Sequence, residues 1–269
     1  MRVFSMKAKK YLGQHFLKDK NIIKKILEFS DINKEDLVLE IGPGKGALTN
    51  YIFNYTDNVV LIEKDKDLIP FLKKNFPKAL IFNLDACNLN LEKIFSQAKK
   101  FFQKDFENIK IISNLPYNVG NIILINLLSF FPLIKDITVM VQKEVAERIA
   151  ADPKSKKYGF LSVLLQTFFK IKKGFNVPPK AFFPPPKVYS SVIKLIPKPY
   201  KEVKYFYENI ENYKKFLTKS FSQRRKKLKN VCSFFPKEFL DKRAEEIDVE
   251  SYKEIFKNLN VSYLDIYDI

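Results

Sequence analysis

"DLVLEIGPGKGALT", residues 36–49, reads as a strand, a glycine turn and the start of a helix. Residues 36–42 form a short apolar run that closes on glycine. Gly42, Gly44 and Gly46 then let the backbone turn tightly and let a ligand approach the main chain. "GALTNYIFNY" carries on with helical spacing, and a helix beginning there offers unpaired N–H groups in its first turn. The spacing is G-x-G-x-G. It differs from the G-x-G-x-x-G dinucleotide fingerprint and lacks the G-x-x-x-x-G-K-[ST] of a triphosphate loop.

The same alternation continues outward. "NVVLIEKD" (58–65) is a second strand and "KDLIPFLKKNF" a helix. "ALIFNLDA" (79–86) is a third strand and "LEKIFSQAKKFF" a helix. "NIKIISNLPY" is a fourth strand, "NIILINLLSFF" a helix and "ITVMVQKE" a fifth strand. Strands separated by helical segments predict an α/β fold, a parallel sheet covered on both faces. Ligands of such sheets bind at the carboxyl ends of the strands. After about residue 194 the pattern changes. "LIPKPYKEVKYF" reads as a linker, and residues 205–221, 237–247 and 251–259 have helical spacing. A larger domain over 1–196 and a small helical domain over 197–269 are expected.

The 269 residues are enough for two cores, and 46% are hydrophobic. Lys and Arg number 48 against 30 Asp and Glu, a formal charge of +18. A polyanionic partner follows, nucleic acid first and a membrane surface second. The apolar run at 122–134 is too short to span a bilayer, and the basic N-terminus lacks the apolar core of a signal peptide. Two cysteines, Cys87 and Cys232, make neither a disulfide framework nor a ligand-spaced pair. A soluble cytoplasmic protein with no metal site and no membrane association is expected. His15 is the single histidine, so catalysis must run without a triad or a histidine metal cluster.

Acids follow the glycine loop at strand ends. Glu63 closes the second strand, where a carboxylate can accept both hydroxyls of a ribose. Asp85 closes the third, where it can accept from an adenine amino group. In chain order the three features describe an adenosine-bearing cofactor. The missing phosphate fingerprint favours S-adenosylmethionine over NAD. At the end of the fourth strand stands "NLPY". Methyl transfer to an adenine amine is an in-line displacement that needs an aligned nucleophile with a free lone pair. The Asn114 side-chain oxygen and the Leu115 carbonyl can hold the two N–H bonds. Pro116 sets the backbone, and Tyr117 offers a face to the base.

These motifs together resemble the ribosomal RNA adenine N(6),N(6)-dimethyltransferases that modify two adjacent adenines near the 3′ end of small-subunit rRNA. "KKYLGQHFLKD" (9–19) is similar to their N-terminal motif, "VLEIGPGKGALT" to their cofactor loop and "NLPYN" to their target motif. "VPPKAFFPPPKVYSSVIKL" (177–195) is similar to their late aromatic–proline motif. The resemblance runs over essentially the whole chain. It implies a Rossmann-like seven-stranded methyltransferase domain with S-adenosylmethionine as cofactor, and a helical RNA-binding domain after it. It implies cofactor contacts at His15, Leu17, Gly42, Gly44, Glu63, Asp85 and Asn114. Target-base contacts are implied at Asn114, Leu115 and Tyr117, with Pro116 completing the catalytic motif, Phe182 closing the other face and Phe183 as the alternative. The chain departs from the family at His15, where asparagine is usual. It departs again at Val119, Gly120 and Asn121, where small hydroxyl residues are usual.

Residues 214–229 hold eight basic residues and no acid, whereas 237–269 hold five basic and nine acidic. Arg224, Arg225, Lys226, Lys227 and Lys229 are the expected phosphate contacts, with Lys7, Lys9 and Lys10 on a basic N-terminal arm over 1–19. The expected partner is small-subunit rRNA within a 30S precursor, met by a monomer. A large-subunit rRNA methyltransferase of the antibiotic-resistance type and a non-enzymatic assembly factor on the same fold are the alternatives.

Overall fold

The structure, a computed structural model, describes residues 14–232 and 234–259. Lys7, Lys9 and Lys10, and the start of the basic arm, lie outside the described residues. The strands are β1 (Phe16–Leu17), β2 (Leu37–Ile41), β3 (Val59–Glu63), β4 (Leu80–Asn83), β5 (Ile109–Asn114), β6 (Ile134–Gln142), β7 (Phe169–Val177), β8 (Phe182–Phe183) and β9 (Ser190–Pro197). Seven of them form one sheet in the order β4-β3-β2-β5-β6-β9-β7, and β1 pairs with β8 in a separate two-stranded ribbon. This is the expected seven-stranded Rossmann-like arrangement.

Every residue of β2 and β3 is buried. Strands covered on both faces read as near-continuous apolar runs for that reason. β4, β3, β2, β5 and β6 are parallel neighbours. β9 runs antiparallel to β6, so the sheet is mixed and not wholly parallel. The sequence order turns around β2: β3 and β4 lie to one side, β5 and β6 to the other. That reversal opens a crevice at the carboxyl ends of β2 and β5, where the glycine loop and "NLPY" begin.

Several helices are shorter than their spacing predicts. The segment after the glycine loop is α-helical only over Thr49–Ile52. Gly120–Leu127 gives way to a 3-10 segment over Leu128–Leu133, which contains Pro132; proline has no N–H for an i→i−4 bond.

The chain divides into two compact units. One holds residues up to Lys143 together with Lys172–Ile196; the other holds Glu144–Ile171 and residues from Pro197 on. A single cut at 196/197 therefore leaves out Glu144–Ile171, which packs with the helical residues. The helix Phe160–Phe168 supplies the reason: Thr167 and Tyr213 share a buried hydroxyl–hydroxyl bond of 2.8 Å.

The segment read as a linker is mostly ordered, since β9 runs to Pro197 and a helix covers Tyr200–Glu208. The long helix expected over 205–221 breaks at Asn209 before Ile210–Ser220. Residues 237–247 make two 3-10 turns, Lys237–Phe239 and Ala244–Glu246, instead of a helix. Val249–Asn258 is helical as expected. The core of this unit is aromatic: Phe206, Tyr213, Phe216, Tyr252 and Phe256 are all fully buried. Large rings supply the apolar area that a small helical unit needs.

Candidate functional site

A cavity lies at the carboxyl ends of β2, β3 and β5. It is lined by Gln14–Leu17, Glu40–Gly44, Ala47, Leu48, Ile62–Lys64, Leu84–Ala86, Asn114–Val119 and Ile123. Every expected cofactor and target residue except Phe182, and its alternative Phe183, stands in this wall.

The glycine turn is built for close approach. Gly42, Gly44 and Gly46 take φ of 66°, 59° and 75°, the left-handed region that glycine enters without a Cβ penalty. A Cβ on Gly44 would lie 2.9 Å from the Phe16 ring, and one on Gly42 would lie 4.0 Å from Cδ of Pro116. The turn thus touches the N-terminal segment on one side and "NLPY" on the other.

Glu63 ties the turn to the next strand. Its Oε2 accepts from the Gly44 N–H at 3.0 Å and its Oε1 from the Asp65 N–H at 2.8 Å. A carboxylate has about four lone-pair sites, so acceptor capacity remains for two hydroxyls. Burial raises the Glu63 carboxyl above its ordinary value, against the lowering effect of those N–H bonds. Asp85 combines two roles. It caps the short turn Ala86–Asn88 through the Cys87 N–H at 3.0 Å, and it pairs with Lys64 at 2.7 Å while lining the cavity. The Lys64 ammonium holds its carboxyl below the usual range.

Glu40 is a site residue that its sequence context conceals, because it sits inside an otherwise apolar strand. It lines the cavity beside Glu63, and its Oε2 accepts from the Thr49 hydroxyl at 2.6 Å. Burial pushes it up to about 8. The available signal was a lone acid two residues before the glycine turn.

Asn114 ends β5. Its Nδ2 donates to the His15 carbonyl at 3.1 Å, while its Oδ1 is buried with no hydrogen-bond partner among the described residues. A buried unmade acceptor costs about 1–3 kcal/mol, so a donor that reached this oxygen would be favoured by that amount. The Leu115 N–H donates to the Met140 carbonyl at 3.1 Å, and the Leu115 side chain is buried. The Tyr117 hydroxyl bonds Ser190 Oγ, and the His15 ring stacks on the Tyr117 ring, centroids 5.4 Å apart at 28°. Burial raises the Tyr117 phenol above its ordinary value, so it stays neutral at physiological pH. Ser190 had no signal of its own beyond its place in the aromatic–proline motif.

The N-terminal segment closes one wall. Gln14 Nε2 donates to Asp65 Oδ2 at 3.1 Å, His15 Nδ1 donates to the Pro184 carbonyl at 2.8 Å, and the Lys18 N–H donates to the Ala181 carbonyl at 2.9 Å. Leu17 is buried in the core. The His15 departure therefore leaves a ring that still reaches both Pro184 and Tyr117. The second departure also has a visible effect: the helix Gly120–Leu127 starts without a side-chain cap.

Phe182 needs correction. It is 1% exposed and packs into the core cluster with Leu17 and Ala181, whereas Phe183 is 65% exposed. Side chains alternate along an extended strand, so one of two consecutive phenylalanines turns inward, and here it is Phe182. Its ring offers no free face to a base in this structure.

The basic run in the helical unit is partly spent internally. Arg224 donates to the carbonyls of Lys156 (2.9 Å) and Tyr158 (2.7 Å) and pairs with Glu245 at 3.1 Å. Lys227 and Lys229 both reach Asp241, at 3.1 and 2.8 Å. Arg225 and Lys226 are exposed and form no ion pair among the described residues.

A family model described as "Ribosomal RNA adenine dimethylase" matches residues 5–269. The chain is 41% identical over 262 residues to "Ribosomal RNA small subunit methyltransferase A" of Sulfurihydrogenibium sp. (strain YO3AOP1), covering 93% of this chain and 96% of that protein. It is 38% identical over 258 residues to the protein of the same name from Wigglesworthia glossinidia brevipalpis, covering 93% and 97%. Among solved structures it is similar to a dimethyladenosine transferase from Plasmodium falciparum, with a TM-score of 0.73 at 26% identity over 90% of this chain and 96% of that one. The 23S rRNA methyltransferase ErmE has a TM-score of 0.60 at 20% identity, covering 91% and 99%, a likeness of fold. Among the described residues no helix is long and apolar enough to cross a membrane.

Proposed function

The chain belongs to the ribosomal RNA adenine dimethylase family of S-adenosylmethionine-dependent methyltransferases, and on that premise we propose that it methylates the exocyclic amines of two adjacent adenines near the 3′ end of small-subunit rRNA. The observation that carries this reading is the Asn114 amide, anchored through Nδ2 and left with a buried Oδ1 that has no partner among the described residues.

The cavity fits S-adenosylmethionine: the Gly42–Gly44 turn leaves main chain open, and Glu63 and Asp85 retain acceptor capacity in its wall. Bound there, the cofactor supplies an electrophilic methyl group. Glu63 would hold ribose hydroxyls and Asp85 the adenine amino group, with His15, Leu17 and Gly42 lining the site. The protein's own work is to prepare the nucleophile. Asn114 Oδ1 accepts one N–H of the target amine and the Leu115 carbonyl the other. The nitrogen lone pair, otherwise delocalised into the ring, is then turned out of the ring plane. Pro116 holds the backbone at that point. Tyr117, fixed by Ser190, carries the base on its ring, worth about 1–3 kcal/mol. The proton leaves after transfer, so no histidine or carboxylate base has to touch the amine.

The small-subunit assignment follows the names of relatives near 40% identity over most of the chain. Action on a 30S precursor by a cytoplasmic monomer completes the reading, and Arg225 and Lys226 are its best phosphate contacts in the helical unit. Nucleoside mass spectrometry of rRNA treated with the protein, with primer-extension stops mapped on each subunit RNA, tests it. Dimethyladenosine at two adjacent small-subunit positions is expected. Methylation confined to large-subunit RNA, or none at all, overturns it.

A further inference from the structure

Between Asp152 and Glu202 the chain contains no acidic residue. Part of this span has an internal explanation. Lys170, Lys172 and Lys173 are exposed on β7, at the edge of the sheet, and lysines on an edge strand block pairing with other chains. Lys172 also lies over the Phe29 ring at 5.3 Å. That explanation stops at Val177. Beyond it Lys180 and Lys187 are exposed and form no ion pair among the described residues. Between and beside them stand Phe183, Val188 and Tyr189, exposed by 65%, 44% and 53%.

Single exposed apolar side chains are ordinary. Three within seven residues, between and beside unpaired lysines in a stretch of sequence without acids, are not. Stacking rings set among cations are how proteins hold single-stranded nucleic acid.

The loop is also fixed to the site. At its start the Ala181 carbonyl accepts from the Lys18 N–H, and Phe183 pairs with Phe16 in the ribbon that covers the glycine turn. In its middle the Pro184 carbonyl accepts from His15, whose ring stacks on Tyr117. At its end the Tyr189 carbonyl accepts from the Lys143 N–H at 2.9 Å, and Ser190 bonds the Tyr117 hydroxyl. A nucleotide chain that delivers one base to Tyr117 must lay its neighbouring nucleotides close by.

We propose that the loop 180–189 is a binding surface for the single-stranded RNA flanking the target adenine. Lys180 and Lys187 meet phosphates, and Phe183 and Tyr189 stack on neighbouring bases. The inference rests on the RNA-adenine reading of the site, and adds to it a surface on the catalytic unit itself.

The test measures binding of a short fluorescent single-stranded oligoadenylate across a salt series. Wild type, the double variants Lys180→Gln/Lys187→Gln and Phe183→Ala/Tyr189→Ala, and Tyr189→Phe are compared. Losing two phosphate contacts should lower the slope of log affinity against log salt by about 1.4, from ~0.7 per contact on a single strand. Losing the rings should weaken binding roughly 5- to 150-fold per ring at unchanged slope, and Tyr189→Phe should bind as wild type. Cofactor affinity and Tm should not move, since all four side chains are exposed. Wild-type binding in both double variants, or no binding by the wild-type protein, overturns the proposal. Methylation of small-subunit rRNA, measured in parallel, separates the two levels. A wild type that binds through the loop but transfers no methyl removes the functional reading and leaves the surface. Active loop variants that bind normally remove the surface alone.

Discussion

The Asn114 carboxamide donates to the main-chain carbonyl of His15, 99 residues away in sequence, and its buried Oδ1 meets no donor among the described residues. The residue that would hold the target amine is thus oriented by the segment that closes the cavity. The orienting group is a backbone carbonyl, so it is indifferent to whether residue 15 is histidine or asparagine.

Replacing Asn114 by alanine removes that acceptor. Loss of a preorganised hydrogen-bonding group at a reacting centre typically costs about 10²–10³ in kcat. The Asn114→Ala variant should lose at least that order in methyl incorporation from labelled cofactor, with its Tm close to wild type. A near-wild-type rate would show that Asn114 does not hold the amine.

Tyr117 separates stacking from hydrogen bonding. Tyr117→Phe keeps the ring and loses only the Ser190 bond, worth about 1 kcal/mol, so kcat/KM should fall by no more than about tenfold. Tyr117→Ala loses the ring and should cost a further 5- to 150-fold or so. Steady-state kinetics on small-subunit rRNA distinguish the two; equal losses would argue against a stacked base.

Glu40 predicts a pH dependence of stability. Its folded-state value, about 8, stands above the ordinary 4.5. The folded protein therefore holds a proton that the unfolded chain gives up. The stabilisation from that proton is fully present below pH ~4.5 and is lost as pH rises through ~8. Glu40→Gln carries a permanently neutral side chain and should flatten this decline in urea unfolding between pH 5 and 9. A residual slope of the same sign is expected from Glu63, which burial also raises. An unchanged profile in the variant would mean that Glu40 titrates normally.

Phe182 and Phe183 should behave as opposites. Phe182→Ala empties a core site, and such changes cost about 3–5 kcal/mol; thermal or urea unfolding would record it. Phe183→Ala removes an exposed ring and should leave stability within about 0.5 kcal/mol. If Phe182→Ala instead keeps full stability and loses only RNA turnover, the core assignment of its ring fails.

Arg224 and Arg225 are neighbours with different work. Arg224→Ala releases two carbonyls and Glu245, and should lower stability by about 1–3 kcal/mol. Arg225→Ala should leave stability alone and reduce the salt slope of RNA binding by about 0.7–0.9. Fluorescence titration across salt and thermal unfolding, run on both variants, would expose a reversal.

What could be read along the chain was local chemistry. The glycine turn declared itself because only glycine enters φ near +60° at no cost, and the three glycines of that turn all lie there. The buried strands declared themselves as continuous apolar runs, and Glu63, Asp85 and Asn114 stood out by interrupting those runs at their ends. Helix lengths were less legible: where Pro132 and Asn209 interrupt a periodic pattern, periodicity continues on paper after the hydrogen-bond ladder has stopped.

The tertiary structure alone decided what depends on distant partners. His15 meets Pro184 across 169 residues, and Tyr117 meets Ser190 across 73. Glu40 keeps its proton because neighbouring strands bury it, and Phe182 turns inward because the ribbon with β1 leaves its other face to Phe183. Arg224 is taken by carbonyls of a segment 66 and 68 residues earlier. The sequence by itself established which groups exist at which strand ends, because backbone preference and hydrophobic period act within a few residues. Which of those groups are free, paired, protonated or buried was settled by packing, because burial and hydrogen bonding are properties of neighbours that the linear order does not contain.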